Sequence, residues 1–313
     1  MNVNFADSLH RNQTPQGRLE KVRSIKCCYK HCYHEAEDSN DAKELDLIGK
    51  VLWIILQKLD SNFEKRRQIL NKVLQDIGFS NSRDFSVSGE LYFVKRYVSK
   101  FPQSVCLDVG ANKGDYSRMI LTESKHNVVG VEPLPYMKAQ LDSLQQEYPT
   151  RFTHVEVAIA EDEKGAAIYY AESRSAHASL IQEMNELEYI NNESQIHVRT
   201  IRLSTLIESI SEKSNHGIIL LKLDTEGFEY PILKGSEVAL NAMSIPFIQI
   251  EFGLSQLISN VTLLNFHKLL PNYAIFRLTP NALLRIDPYD PISNLYYFSN
   301  YIFVHNSALH FID

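Results

Sequence analysis

From about residue 104 onward, short apolar runs alternate with segments whose apolar residues recur at helical spacing. The short runs indicate strands and the periodic segments indicate helices. We predict strands at 104–109, 127–132, 152–159, 218–223 and 246–252, with helices at 115–124 and 134–147. Strands that alternate with helices in this way favour a parallel, doubly wound α/β sheet, with ligands bound across the carboxyl ends of its strands.

Weaker signals extend this pattern on either side. An amphipathic segment at 85–101 leads into the first strand, and a small hairpin is indicated around 167–170. Toward the carboxyl end we predict a helix near 256–270 and strands near 273–278 and 300–305.

Helical periodicity also marks residues 41–77, ahead of the sheet. Asp41 with Glu44 resembles a capping box that starts a helix, and Gly78 supplies a stop signal. We predict two consecutive helices or one long kinked helix. This segment could pack on the domain edge, cap the site, or pair with a second copy of the chain to form a homodimer.

Length sets the domain organisation. At 313 residues the chain is longer than a typical single domain. We therefore expect a variable segment with a helical appendage at 1–84 and a catalytic domain at 85–313.

Charge and hydropathy exclude several classes of function. The formal net charge of −6 offers no basic surface for nucleic acid, and no apolar run reaches the ~20 residues that span a bilayer. The amino terminus lacks the apolar core of a signal peptide, and the four cysteines form no disulfide framework, so we expect a cytoplasmic protein. Three cysteines and two histidines within 27–34 could bind zinc, but their spacing lacks paired knuckles, and a variable exposed segment is the alternative.

The first candidate site follows the strand at 104–109. Gly110 and Gly114 let the chain turn sharply and let a ligand approach its backbone. A dinucleotide fingerprint would also require glycines at 112 and 115, where the chain has Asn112 and Asp115. Asp108, just before the turn, suits a ligand that carries an ammonium group. The residues of this turn that we expect to contact the ligand are Asp108, Gly110, Ala111, Asn112, Gly114 and Ser117.

The next strand supplies a second contact. It ends in Glu132, which is placed to accept hydrogen bonds from both hydroxyls of a ribose, and the adjoining Pro133 is a further candidate. Ala158, in the third strand, would leave room for an adenine ring, or is an ordinary core residue. A ligand that combines a ribose with an amino acid is S-adenosylmethionine.

A second informative stretch is the strand at 218–223 and the acids that follow it, Asp224, Glu226 and Glu229. Carboxylates this close repel one another unless a cation lies among them. That cation could be the sulfonium or ammonium of the ligand, Lys222, or a divalent metal. A solvated acidic loop is the alternative.

His177 lies in a polar loop, 173–179, on the predicted ligand side of the sheet. An imidazole can take a proton near neutral pH, so His177 is a candidate general base, or else a solvated loop residue. Aromatic residues between 289 and 303 could cover the apolar faces of sugar rings, or could belong to the core.

Three segments resemble the FkbM family of class I methyltransferases: LDVGANKG at 107–114, GVEP at 130–133, and LKLDTEGFE at 221–229 with LKG at 233–235. The similarity covers about residues 86–305. At 203–206 the chain reads LSTL where the family often has Leu-Asp-Asp-Leu, so no role is assigned to that turn.

The resemblance implies a seven-stranded, mostly parallel Rossmann-like methyltransferase sheet. It also implies S-adenosylmethionine-dependent O-methylation of a hydroxyl on a sugar, glycan or polyketide-type acceptor, which is carbohydrate modification in the first two cases. We expect Asp224 and Glu226 to orient the ligand or the acceptor, with Asp224 also touching the cofactor, and His177 to serve as the base.

Three questions stay open at this point. A divalent metal could assist, but no residue is assigned to it. A nicotinamide-dependent oxidoreductase would use a similar sheet, although the missing glycines disfavour it. A non-catalytic partner-binding protein could also be built on this fold, because a fold does not establish an activity.

Overall fold

The structure is a computed structural model, and it describes residues 63–79, 82–171, 177–187, 190–213 and 216–312. The chain divides into two units, Met1–Ile69 and Leu70–Asp313, and the site described below lies in the second. The predicted helices at 41–77 are confirmed over Phe63–Asp76, whereas the rest of that segment and the Cys/His cluster at 27–34 lie outside the described residues.

Helices and strands follow the alternation that the sequence predicts. The helices are α1 (Phe63–Asp76), α2 (Phe85–Ser88), α3 (Glu90–Arg96), α4 (Asp115–Glu123), α5 (Lys138–Glu147), α6 (Leu203–Lys213), α7 (Glu229–Gly235), α8 (Glu237–Ala242), α9 (Leu254–Ile258) and α10 (Leu263–Leu269). The strands are β1 (Val105–Val109), β2 (Asn127–Val131), β3 (Phe152–Val155), β4 (Ala158–Ile159), β5 (Ala166–Tyr170), β6 (Ser194–Val198), β7 (Thr200–Ile201), β8 (Ile218–Leu223), β9 (Phe247–Phe252), β10 (Tyr273–Thr279), β11 (Ala282–Arg285) and β12 (Ser299–His305).

The main sheet has the strand order β11-β10-β12-β9-β8-β1-β2-β3. Neighbours from β9 to β3 are parallel, while β12 runs antiparallel to both β9 and β10. The predicted doubly wound, mostly parallel sheet is therefore confirmed. It has eight strands rather than the expected seven, because β11 turns back antiparallel on β10 and adds an edge.

Apolar residues cover both faces of this sheet, as a doubly wound fold requires. On one face, side chains of β1 and β8 such as Leu107 and Leu221 pack with α6, α7, α8 and α10. On the other, Cys106 and Leu220 pack with α3, α4 and α5. Among the described residues, no helix combines the length and apolarity needed to cross a membrane.

Three predicted elements differ from the structure. The strand predicted at 152–159 is two, because β4 leaves the main sheet to pair with β7. The helix predicted near 256–270 is also two: Asn260 adopts φ +56°, and Thr262 caps α10 by accepting from the backbone N–H of Asn265. The expected hairpin near 167–170 forms instead between β5 and the more distant β6.

Candidate active site

A cleft runs along the carboxyl edge of the sheet, near the ends of β1, β8 and β9. Its larger part, here called the main cavity, has a volume of about 1070 Å³, and a side pocket of about 70 Å³ adjoins the ends of β1 and β2. Gly110 and Asn112 line both. The cleft therefore has two compartments that meet at the turn after β1.

This turn is tied to both neighbouring strands. Gly110 has φ +83°, and a Cβ added there would lie 1.8 Å from the carbonyl oxygen of Asp224. The N–H groups of Gly110 and Ala111 donate to the carbonyl of Val131 at 2.9 and 3.0 Å. Gly114, also at φ +83°, begins α4. Two amides that could hold a phosphate in a dinucleotide site are thus already bonded within the protein.

Glu132 lines the side pocket and is 6% exposed. Its Oε2 accepts from the N–H of Asn112 at 2.9 Å, and its Oε1 accepts from the N–H of Leu134 at 3.0 Å. Burial raises the pKa of Glu132 to about 7, although both backbone bonds act in the opposite direction. Each carboxylate oxygen keeps a lone pair for a ligand hydroxyl.

The rest of the side pocket is largely apolar, as a planar ring would require. Its lining includes Pro133, Val157, Ala158, Ile159, Ile168, Ala178 and Leu180. Ala158 lines this pocket together with Glu132 and Pro133. A polar group at the end of an apolar slot can bind a nucleoside, with the base in the slot and the ribose on the carboxylate.

Asp108 lies behind the wall of the main cavity. It is fully buried, and its Oδ2 accepts from the Ser117 hydroxyl at 2.7 Å. Its Oδ1 has no hydrogen-bond partner, and the Nζ of Lys222 is 3.7 Å away. Asp108 and Ser117 line neither compartment, and the cationic side chain that faces Asp108 is Lys222.

Lys222 connects Asp108 to the cleft. Its Nζ donates to Oδ2 of Asp224 at 2.8 Å and lies 4.9 Å from the centre of the Tyr116 ring. Burial lowers the pKa of Lys222, but the carboxylates of Asp224 and Asp108 outweigh it and raise the pKa above its usual value. Lys222 therefore stays charged beneath the cleft.

A buried polar network continues from this point toward α3. The Glu90 carboxylate accepts from the Ser88 hydroxyl at 2.8 Å and from the Gln249 amide at 2.9 Å. Gln249 in turn accepts from the Tyr116 hydroxyl at 2.6 Å and donates to Asn300 at 3.1 Å. Burial raises the pKa of Glu90, and the charge of Lys222 opposes this shift. The network fixes the floor of the main cavity.

The loop after β8 separates the acids that the sequence grouped together. Glu229 turns inward, where its carboxylate accepts from the N–H groups of Thr225 at 2.8 Å and Gly227 at 3.1 Å and from the Gln256 amide at 2.7 Å. It is 1% exposed and does not line the cleft. Glu226, at φ +52°, faces the main cavity. Glu229 thus holds the loop in shape.

Glu251, at the end of β9, is the third acid of the group that also contains Asp224 and Glu226. Oxygen atoms of Asp224, Glu226 and Glu251 all lie within 4.8 Å of one another, close enough to hold a metal ion. Burial raises the pKa of Glu251 well above its usual value, and the charges of Asp224 and Glu226 add to this. Carboxylates this close together favour a cation among them.

His177 also reaches the main cavity. Its Nδ1 lies 3.4 Å from Oε1 of Glu226, so the sequence-predicted loop and the acidic loop meet. Asn192 donates to the His177 carbonyl at 2.9 Å, and the Ser179 hydroxyl donates to the Glu226 carbonyl at 2.9 Å. Burial raises the pKa of Glu226, and its bond with His177 opposes this.

Aromatic side chains form the outer wall of the main cavity. They are Phe85, Tyr296, Tyr297 and Phe298, with Leu254 beside them, while Arg83 and Lys113 bring positive charge to the lining. Tyr296 stacks on Phe252 with ring centres 5.4 Å apart. The predicted aromatic segment therefore contributes both to the core and to the cleft.

Sequence reasoning assigned no site role to Glu251, Glu90 or Gln249. The sequence pattern around Glu251 could have indicated a site residue, because an apolar run ends there in an acid, as it does at Glu132. The sequence does not show that β8 and β9 are neighbours, which is what brings Glu251 to Asp224.

The strand order and the two helical layers define a Rossmann-like methyltransferase fold. A family model described as a methyltransferase FkbM domain matches residues 108–267, about half of the chain. The protein belongs to this FkbM methyltransferase family.

Solved structures of several methyltransferases and of a related synthase resemble this chain at low sequence identity. A putative caffeoyl-CoA O-methyltransferase from Staphylococcus aureus is 11% identical, with a TM-score of 0.40, over 83% of this chain and 99% of that one. Precorrin-6y C5,15-methyltransferase from Geobacter metallireducens is 9% identical, with a TM-score of 0.37, over 72% and 94%. Spermidine synthase from Thermotoga maritima is 10% identical, with a TM-score of 0.37, over 74% and 64%. A comparison with curated protein sequences finds no match.

Proposed function

We propose that the protein is an S-adenosylmethionine-dependent O-methyltransferase that acts on a hydroxyl of a sugar, glycan or polyketide-type acceptor. The observation that carries this proposal is the two-compartment cleft, with Glu132 and an apolar slot at one end and Asp224 at the other. Membership of the FkbM family supports the same reaction class.

The residues present fit this cofactor. Ala158 and its apolar neighbours suit an adenine ring, and the paired oxygens of Glu132 suit the two ribose hydroxyls. Asp224, in the main cavity, suits a cationic group. The amides of Gly110 and Ala111 are bonded to Val131, which disfavours a pyrophosphate and hence a nicotinamide dinucleotide. When bound, S-adenosylmethionine supplies an activated methyl group.

The protein's own groups would then prepare the acceptor. The imidazole of His177, held toward Glu226 through Nδ1, would take the hydroxyl proton at Nε2, and the Glu226 carboxylate would stabilise the imidazolium that forms. Tyr297 and Phe298 would pack against the apolar face of a sugar ring and orient its hydroxyl.

Transfer of a labelled methyl group to a panel of mono- and oligosaccharides and hydroxylated polyketides tests this proposal. Asp224→Asn and His177→Asn should each lower kcat by about 10²-fold or more, because each removes a group that acts at the reacting centre. His197→Asn, on exposed β6, is the matched control and should leave kcat unchanged.

Two results would contradict the assigned roles. A rate for Asp224→Asn within about threefold of wild type would remove Asp224 from the mechanism. Binding of the cofactor without transfer to any hydroxyl acceptor would instead favour a non-catalytic binding protein on this fold.

A further inference from the structure

A row of polar side chains crosses the middle of an otherwise apolar sheet. In the strand register, Asp108 of β1 is opposite Lys222 of β8, and Lys222 is opposite Gln249 of β9. All three are buried, and their strand neighbours Leu107, Leu221 and Ile248 belong to the apolar core. A lysine in such a place is costly to desolvate unless its charge is compensated.

The two carboxylates that compensate the charge of Lys222 contact it differently. Lys222 donates to Asp224 at 2.8 Å but stays 3.7 Å from Oδ1 of Asp108, which has no hydrogen-bond partner. The Ser117 hydroxyl holds the other oxygen of Asp108 at 2.7 Å. Lys222 is therefore hydrogen-bonded on the cleft side and only electrostatically attracted from behind.

Lys222 and Asp224 both line the main cavity, but Asp224 is the more exposed of the two. Its side chain is 30% exposed, against 6% for Lys222 and none for Asp108. Among the described residues, its one hydrogen-bonded cationic partner is Lys222. The direction in which the Asp224 carboxylate points therefore depends on Lys222.

We infer that Lys222 is a positioning residue that acts through Asp224, with Asp108 and Ser117 as its buried support. Lys222 keeps the Asp224 carboxylate aimed into the main cavity, and Asp108 attracts the ammonium from the opposite side. This inference rests on the proposed function, because it takes S-adenosylmethionine as the ligand of Asp224. It also gives Asp108 an indirect role instead of a direct contact with the ligand.

A double-mutant cycle with calorimetric titration of S-adenosylmethionine tests the inference. Lys222→Met keeps the length of the side chain and removes its charge, and Asp224→Asn removes the carboxylate. Each should weaken binding about tenfold or more, and the double variant should bind no more weakly than the weaker single variant. Lys234→Met, an exposed lysine in the same motif, is the matched control and should bind like wild type.

Lys222→Arg separates positioning from simple packing. A guanidinium can still bridge two carboxylates, so this variant should bind S-adenosylmethionine within about threefold of wild type, while the methionine variant does not. If Lys222 only fills space, Lys222→Met should bind S-adenosylmethionine more tightly than Lys222→Arg does, and the inference would be overturned.

Loss of the lysine leaves the buried carboxylate of Asp108 and the partly exposed carboxylate of Asp224 uncompensated, and Lys222→Met could fail to fold for that reason. The pair Lys222→Met with Asp108→Asn removes one charge of each sign. It should fold, as judged by circular dichroism, and should still bind S-adenosylmethionine about tenfold or more weakly than wild type, because Asp224 has lost its partner.

The outcomes separate this inference from the proposed function. If the wild type binds S-adenosylmethionine and the two single effects multiply in the double variant, Lys222 does not act through Asp224, and the inference alone is overturned. If Lys222→Met binds S-adenosylmethionine as tightly as the wild type, the inference alone is likewise overturned. If the folded wild type binds no S-adenosylmethionine, the proposed function and this inference fall together.

Discussion

Glu132 shows how a single buried carboxylate can be prepared for a ligand. Its two oxygens each accept one backbone N–H, which fixes their direction, while burial raises its pKa to about 7. In the ligand-free protein this group therefore holds a proton up to near-neutral pH. A ligand hydroxyl bonds more strongly to the ionised form, so binding should release that proton.

This linkage predicts that affinity for S-adenosylmethionine falls as the pH drops through about 7. Between about pH 8 and about pH 6 the wild type should lose several-fold in affinity, since an increasing share of Glu132 must be deprotonated before it binds. Glu132→Gln, which does not titrate, should bind more weakly at every pH and show a flatter profile. Calorimetric titration across this range measures both. An equally steep profile in Glu132→Gln would assign the pH dependence to another group.

The backbone that follows the neighbouring strand β8 requires glycine at position 110. Gly110 combines a φ of +83° with a position where a Cβ would lie 1.8 Å from the Asp224 carbonyl oxygen. Gly110→Ala should therefore separate β1 from the end of β8 or distort the turn, lowering the free energy of unfolding by roughly 1–3 kcal/mol and weakening cofactor binding.

Gly217→Ala is the matched control, because no atom lies within 4 Å of the Cβ it would add. Thermal and urea unfolding of the two variants measure the difference. If Gly110→Ala were as stable as Gly217→Ala, the close contact between this turn and Asp224 would be wrong.

At the scale of elements, the loop from Thr225 to Gly227 depends on the first residue of α7. The Glu229 carboxylate is fixed by donors on both sides of the loop and by Gln256. Together these bonds hold Glu226 at a positive φ, a conformation that a non-glycine residue adopts only when its surroundings stabilise it.

Glu229→Ala should lower the free energy of unfolding by about 1–3 kcal/mol, because it leaves several buried donors without an acceptor. It should also weaken activity without touching the cleft directly, since Glu226 loses its support. Urea unfolding and the methyl-transfer assay measure the two effects. Glu237→Ala, at an exposed helix start, should change neither; equal behaviour of the two variants would contradict the structural role of Glu229.

Elements with strong local signals were predictable from the sequence. The strands β1, β2, β8 and β9 lie within a residue or two of their predicted ranges, because each is an apolar run that ends in an acid or at a glycine. The boundary between β3 and β4 was not predictable, since apolar residues recur at 155, 157 and 159 across it and only pairing with β7 divides the two strands.

The residues at the turns of the candidate site were predictable from the sequence, but which of its acidic side chains are buried was not. Glycine at 110 and an acid at 132 leave clear sequence patterns, so their positions in the cleft agree with expectation. Whether an acid faces the cleft depends on packing. Local sequence does not distinguish Glu226, which faces it, from Glu229, which is buried beneath the loop, nor does it show that Asp108 lies behind Lys222.

At the scale of the whole molecule, topology determines which residues meet. Parallel β8 and β9 are neighbours, so the acids at their carboxyl ends, Asp224 and Glu251, come together. Because β12 runs antiparallel between β9 and β10, it starts at the same edge, with Asn300 opposite Glu251. This places the aromatic residues before β12 beside the cleft.

The measurement that tests this account most directly is calorimetric titration of the purified protein with S-adenosylmethionine and with S-adenosylhomocysteine, beside Glu132→Ala. We expect micromolar binding of one equivalent to the wild type and at least about tenfold weaker binding to the variant, which loses the acceptor for the ribose hydroxyls. Absence of binding by folded wild-type protein, or equal affinity in Glu132→Ala, would contradict the assignment of this cleft to S-adenosylmethionine.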